Sequence, residues 1–251
     1  MTRRIRGVVF DLDNTLIQSR RGARRALNTA AEIITDHLSQ NGHSYTKTGL
    51  LRRLQKIEQN RKVSRSALDA RTLYNRDKWW RLLLKELGLS RLQGPWIHKA
   101  TLRYWDVYMD GSPPFADAEP TLKKLKREGM KLGIVSDSDG TPGVKRLRAW
   151  KLSFRPMFDT VIVAGEDTPK VKPSKAPFLQ AARHLGLSPE EIAYVGDNPT
   201  TDVEGAKTIG MLTFLVRRRS YMAIRGLQAG QPTYEVRSLK EIPRLLPKLS
   251  G

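Results

Sequence analysis

The chain has 251 residues, of which 39% are apolar and none is cysteine, and it carries a formal net charge of +20. This composition supports a folded core. The absence of cysteine excludes disulfides, zinc–thiolate sites and thiol nucleophiles, and it fits a protein of the reducing cytoplasm. The charge attracts anions, including nucleic acid and phosphorylated metabolites, but it selects no partner by itself, so a surface charged for solubility is the simpler interpretation.

The first predicted element is a short buried strand over 5–10, IRGVVF, which runs directly into the acids of VVFDLDNTL. The basic start of the chain is followed by too few apolar residues for a signal peptide. Nowhere does an apolar run approach the roughly 18 residues of a membrane span. The sequence therefore predicts a cytoplasmic protein with no membrane partner.

Residues 17–112 show helical spacing without a convincing strand. Apolar side chains three and four positions apart predict helices in three places, over Leu50–Ile57, Leu73–Leu87 and Ile97–Tyr108. The sequence GSPP then predicts a return to the sheet. We predict an all-helical module over 17–112, inserted into an α/β core made of 1–16 and 113–251.

Beyond the module, predicted strands alternate with predicted helices. This alternation is typical of a doubly wound, Rossmann-like parallel sheet. The predicted strands are 131–137, 160–166, 192–197, 212–216 and a short one at 233–236, and the predicted helices are 118–129, 174–186, 201–210 and a proline-interrupted one at 238–249.

Polar residues collect where the predicted strands end, which is where open α/β sheets bind ligands. Clustered carboxylates repel one another, and a hard divalent cation such as Mg²⁺ removes that cost. With a lysine and a hydroxyl to hold phosphate oxygens, the set suits phosphoryl transfer, in which a carboxylate can be the nucleophile. The residues are Asp11, Asp13, Ser136, Asp137, Lys172, Asp197 and Asp202.

These residues resemble the motifs of the haloacid dehalogenase-like (HAD) hydrolase superfamily. VVFDLDNTL matches the DxDx[T/V] first motif, and IVSD falls where the second motif ends in Ser or Thr. Lys172 in KVKP resembles the third-motif lysine, and VGDNPTTD resembles the GDxxxxD fourth motif. The inserted module occupies the position of the family's C1-type cap, which points to subfamily I.

The resemblance implies a role for each residue. Asp11 would be the nucleophile, and Asp13 would protonate the leaving oxygen and then deprotonate water. Ser136 and Lys172 would bind the phosphoryl group, with Asp137 beside them in a role left open because many relatives have Asn there. Mg²⁺ would be held by the Asp11 carboxylate, the Asp13 backbone carbonyl and Asp197, with support from Asp202.

Asp13 favours a phosphatase over a dehalogenase, because an alcohol leaving from phosphate benefits from a general acid whereas a halide does not. We therefore predict a Mg²⁺-dependent phosphatase of a small phosphorylated metabolite, such as phosphoglycolate, glyceraldehyde 3-phosphate or a sugar phosphate, acting as a monomer or homodimer. Two alternatives are a phosphomutase resembling β-phosphoglucomutase and a basic nucleic-acid-binding protein on a HAD scaffold. The intact acids and lysine argue against the latter, so we expect no nucleic-acid partner.

Two features have a structural alternative. Asp202 could cap the helix that follows it, a common position for a carboxylate. The cluster Arg20–Arg25 lies in a module with 19 Lys or Arg and 8 Asp or Glu. An arginine there could reach an anionic substrate, but a solvated helix face is the simpler interpretation.

Overall fold

The computed structural model describes residues 4–63, 70–218 and 231–246. They form two compact units. The first comprises the described parts of 1–18, 114–138 and 145–251, and the second those of 19–113 and 139–144. Each unit is considered by itself.

The second unit is helical in every regular element that the structure describes there. Its helices are α1 (Ser19–Gln40), α2 (Lys47–Val63), α3 (Ala70–Leu73), α4 (Arg76–Glu86) and α5 (Trp96–Asp110), with a 3₁₀ turn at Ser90–Leu92. Trp80 and Trp105 are buried in its core, as their helical spacing predicts, and Trp79 is buried there as well. Trp80 Nε1 donates to Thr101 Oγ1 at 2.8 Å, which satisfies the buried indole.

The first unit contains a six-stranded parallel sheet of order β3-β2-β1-β4-β5-β6, which confirms the predicted fold class. The four residues of β1 are all buried, as expected for a strand covered on both faces. The strands are β1 (Gly7–Phe10), β2 (Lys131–Asp137), β3 (Thr160–Ala164), β4 (Ile192–Gly196), β5 (Leu212–Val216) and β6 (Tyr234–Val236).

Helices cover both faces of this sheet. They are α6 (Ala118–Arg127), α7 (Val144–Trp150), α8 (Lys175–Leu185), α9 (Glu204–Lys207) and α10 (Ile242–Leu245). Alternate residues of β1 divide between two cores: Val8 and Phe10 pack with α6 and α10, whereas Val9 packs with α8. The sheet is therefore doubly wound, and its strands end together at one edge.

The structure differs from the sequence prediction in several elements. The first strand begins at Gly7 rather than residue 5, β3 ends at Ala164 rather than 166, and neither α1 nor α7 was among the predicted helices. The helix predicted over 201–210 is shorter: a π-helical turn at Pro199–Val203 leads into α9. Part of the predicted C-terminal helix, 247–249, lies outside the described residues. Within the described ranges, none of the helices combines the length and the apolar character that crossing a membrane requires.

Candidate active site

The loop after β1 carries both acids of the first motif. Asp11 N donates to Val195 O at 2.8 Å, which continues the pairing of β1 with β4 by one residue and fixes the start of the loop. The chain then turns at Asn14, whose φ of 59° lies in the left-handed region that Asn tolerates better than most residues. Asn14 N donates to Ile17 O at 2.8 Å and closes the turn.

Lys172 connects two of the predicted acids. Its Nζ donates to Asp11 Oδ1 at 2.8 Å and to Asp202 Oδ1 at 2.6 Å, and all three side chains are at most 7% exposed. Tyr194 OH lies 3.3 Å from the same Nζ and donates to Val135 O at 3.0 Å. The lysine is thus held from several sides at the strand ends.

Three carboxylates converge beside this lysine. Asp11, Asp197 and Asp202 are buried and place an oxygen each within 4.8 Å of one another. Gly196 permits this approach, because a Cβ at that position would overlap the Asp202 carboxylate. Clustered carboxylate oxygens are the ligands that Mg²⁺ prefers, so the donor set fits this ion. We call Lys172 and these three acids the Lys172 cluster.

The electrostatics of the cluster are uneven. Burial raises the pKa of Asp11 to about 6, with Asp202 and Asp13 adding to the rise and Lys172 opposing it. Burial alone would lower the pKa of Lys172, but the Asp11 and Asp202 charges hold it well above its usual range. Lys172 therefore stays charged, but its single positive charge does not balance the negative charges of the three carboxylates.

Asp13 lies in different surroundings, with two cations that the sequence analysis did not identify. Lys145 Nζ donates to Asp13 Oδ2, and Arg148 Nη2 donates to Asp13 Oδ1. Burial would raise the pKa of Asp13, but the charges of Arg148 and Lys145 outweigh it and hold that pKa well below its usual range. We call these three residues the Asp13 cluster.

The Asp13 side chain, among the residues described, lies outside the group of converging carboxylates. The family resemblance implied that the backbone carbonyl of Asp13 binds the metal. Side-chain geometry does not test this assignment, so it stays a prediction. In the sequence, Lys145 and Arg148 are three residues apart, a spacing that places both on one face of a helix. Their helix is short, however, and nothing local indicates that it faces Asp13.

The second-motif residues lie at the end of β2, beside β1. Ser136 is buried there. Asp137 Oδ1 accepts a hydrogen bond from Lys172 N at 3.0 Å, so this carboxylate holds the loop that presents the lysine. Binding of phosphate by Ser136 and Asp137 stays a prediction.

Asp202 lies in the first turn of a helical segment whose N-cap is Asn198. The Asn198 side chain accepts from Thr200 N at 3.0 Å and Thr201 N at 3.2 Å. Asp202 Oδ2 accepts from Asn198 N at 3.0 Å, while its other oxygen binds Lys172. The carboxylate therefore satisfies a backbone donor at the start of the segment and is also directed into the Lys172 cluster.

Several known proteins are similar to this chain in sequence. A family model described as haloacid dehalogenase-like hydrolase matches residues 5–210. Glyceraldehyde 3-phosphate phosphatase of Methanopyrus kandleri is 29% identical over 248 residues, which cover 97% of this chain and 99% of that protein. Phosphoglycolate phosphatase of Salmonella paratyphi A is 29% identical over 213 residues, covering 82% and 79%.

Solved structures show the same fold. A HAD phosphatase from Thermococcus onnurineus has a TM-score of 0.69 and 26% identity, covering 96% of this chain and 98% of that one. A 2-haloacid dehalogenase from Pseudomonas syringae has a TM-score of 0.67 at 23% identity, covering 97% and 99%, and shares the fold alone. The fold is thus common to phosphatases and dehalogenases, and the side chains must decide between them.

Proposed function

Since the chain belongs to the haloacid dehalogenase-like hydrolases, we propose that it is a Mg²⁺-dependent phosphatase acting on a small phosphomonoester through an aspartyl-phosphate. One observation carries the proposal: a nucleophile candidate, Asp11, lies with two further carboxylates within 4.8 Å and a buried lysine at 2.8 Å. The acid two residues later favours phosphate ester chemistry over dehalogenation.

In the first half-reaction, Asp11 attacks phosphorus and takes the phosphoryl group, while the ester oxygen leaves. Lys172 keeps the nucleophile oriented through its hydrogen bond to Oδ1 and, with Ser136, neutralises charge on the phosphoryl oxygens. Asp13 gives a proton to the leaving oxygen, so that an alcohol rather than an alkoxide departs. Because Lys145 and Arg148 hold the pKa of Asp13 well below its usual range, this carboxylate is ionised before the substrate binds, and it takes the proton that it transfers from the monoanionic phosphate ester.

In the second half-reaction, Asp13 takes a proton from water, which attacks phosphorus and releases phosphate from Asp11. Asp11, Asp197 and Asp202, with the backbone carbonyl of Asp13, would hold the Mg²⁺. When bound, this ion acts as a Lewis acid that draws charge from the phosphoryl oxygens.

The relatives support a small substrate. Those with similar length are named for glyceraldehyde 3-phosphate and phosphoglycolate, both small phosphorylated metabolites. Residues 17–112 would be the cap, which in capped enzymes excludes water from the reacting groups until hydrolysis is due.

The experiment is phosphate release from a panel of phosphoglycolate, glyceraldehyde 3-phosphate, sugar phosphates and nucleoside monophosphates, with Mg²⁺ or with EDTA. We expect release only with Mg²⁺ and a loss of about 10³-fold or more in Asp11→Asn, because the nucleophile is removed. Asp159→Asn is the matched control, since Asp159 lies at the opposite edge of the sheet and an amide can still accept from Leu132 N. Equal rates in wild type and Asp11→Asn would exclude the mechanism.

A further inference from the structure

Helix α7 directs two buried cations at one carboxylate. The Lys145 and Arg148 side chains are 5% and 1% exposed, whereas the Asp13 side chain that they contact is 24% exposed. The contacts divide between the two oxygens: Arg148 Nη2 binds Oδ1 and Lys145 Nζ binds Oδ2, with Arg148 Nη1 at 3.4 Å from Oδ2. The carboxylate plane is therefore fixed from two positions on one helix face.

A second ion pair of α7, away from Asp13, serves as a comparison, because it only packs the helix. Arg146, between the two cations in the chain, pairs with Asp167, one cation to one anion: its Nη2 donates to both carboxylate oxygens, at 2.5 and 2.7 Å. That pair is more exposed, at 38% and 25% of the two side chains. Burying a second cation against Asp13 is costly and weak support for stability, so the extra cation calls for another explanation.

We infer that Lys145 and Arg148 are positioning residues for the acid/base Asp13. A carboxylate with one partner can rotate about its Cβ–Cγ bond, but one with a different donor on each oxygen keeps a single orientation. Orientation matters here because Asp13 exchanges a proton with two oxygens in turn, that of the leaving group and that of water. Holding a catalytic group in its reactive orientation can supply much of an enzyme's rate enhancement.

This inference rests on the proposed function and adds two residues to it. In this inference the cations act through Asp13, by fixing the orientation of its carboxylate. Their contribution should therefore follow the need for proton transfer. An alkyl phosphate, with a poor leaving group, needs the acid, whereas p-nitrophenyl phosphate releases a stable phenolate without it.

The test compares kcat/KM for these two substrate types, because this ratio reports the step in which the leaving group departs. The alkyl substrate is phosphoglycolate or glyceraldehyde 3-phosphate, whichever the wild type turns over faster. In Lys145→Met and Arg148→Met we expect kcat/KM for the alkyl phosphate to fall by about 10²-fold, and that for p-nitrophenyl phosphate by less than about threefold. Arg146→Met, on the same helix, should change neither.

Conservative variants guard against a folding defect. Lys145→Arg and Arg148→Lys keep the charge and should recover much of the activity on the alkyl phosphate. If thermal unfolding shows that the methionine variants do not fold, these two variants provide the test instead. The quantity compared is again the loss of kcat/KM on the alkyl phosphate relative to the loss on p-nitrophenyl phosphate. Equal losses on both substrates, or no loss on the alkyl one, overturn the inference while the phosphatase stands. A wild type that hydrolyses neither substrate overturns the proposed function and the inference with it.

Discussion

Asp11 and Asp13 lie two residues apart in the chain, yet their surroundings have opposite charge. In the Lys172 cluster, three carboxylates lie together and two of them, Asp11 and Asp202, share one lysine. In the Asp13 cluster, one carboxylate has two cations. Burial raises the pKa of Asp11, whereas the pKa of Asp13 is lowered because the charges of Arg148 and Lys145 outweigh its burial.

The contrast teaches that the motif supplies the acids and distant segments decide what each one can do. The excess negative charge beside Asp11 suits a cation, and the excess positive charge beside Asp13 suits a carboxylate that must remain in place. Four changes test this division, beginning with the largest expected effect.

Replacing the lysine should break the Lys172 cluster. In Lys172→Met we expect a loss of about 3–5 kcal/mol in the free energy of unfolding of the metal-free protein, because the buried Asp11 and Asp202 carboxylates lose the cation that they share. Activity should be lost as well, and added Mg²⁺ should restore part of the stability. Lys170→Met, an exposed lysine two residues earlier, is the control. Urea unfolding with and without Mg²⁺ measures the effect, and equal stability of the two variants would contradict it.

The raised pKa of Asp11 predicts a pH dependence with a definite sign. A folded pKa of about 6 against an ordinary 3.8 means that the native state binds this proton more tightly than the unfolded state. Its stabilising contribution is therefore complete below about pH 4 and is lost as pH rises through about 6. In EDTA, the unfolding free energy of wild type minus that of Asp11→Asn should fall by about 3 kcal/mol between those limits. A difference that stays constant with pH would contradict the raised pKa of Asp11.

Close packing beside the acids gives the third test. Gly196→Ala places a methyl group against the Asp202 carboxylate, which should cost about 1–3 kcal/mol and displace a proposed metal ligand. Thermal unfolding and the Mg²⁺ concentration at half-maximal activity measure both consequences. Gly94→Ala, whose Cβ would meet its nearest atom at 3.5 Å, should be neutral. A Gly196→Ala protein with unchanged Mg²⁺ dependence would show that the Asp202 position is not critical.

The smallest effect concerns the tyrosine that holds the lysine. Tyr194→Phe removes the hydroxyl that donates to Val135 O at 3.0 Å, and should cost about 1 kcal/mol of unfolding free energy. Activity should fall only a few-fold, since the carboxylates still hold Lys172. Tyr234→Phe, on β6 of the same sheet, serves as the control for losing a phenol. A loss as large as that of Lys172→Met would place the tyrosine at the centre of the cluster.

The sheet could be predicted from sequence because buried parallel strands appear as continuous apolar runs. Asp11, Lys172 and Asp202 could be selected because the order of the motifs resembles a known family. The sequence VKRLRAW of α7 offered no comparable signal: it is seven residues long and three of them are basic, which is typical of a solvated helix. What makes Lys145 and Arg148 important is Asp13, 132 and 135 residues away in the chain.

The shortened helix after β4 has a related cause. The pattern of residues 201–210 predicts a regular helix, but Asp202 is bound by Lys172 and by Asn198 N, and the backbone there forms a π-helical turn. Such turns occur often at functional sites. The π-helical turn thus coincides with a tertiary contact of one side chain, and helical periodicity does not report such contacts.

The left-handed turn at Asn14 has a consequence for how this sequence tolerates change. With φ at 59°, position 14 disfavours side chains branched at Cβ, while Gly, Asp and Asn fit at low cost. In a library with every residue at this position, selection for activity should retain those three and deplete Val and Ile. The survivors would report the backbone conformation directly after the two acids, although position 14 has no assigned role in the chemistry.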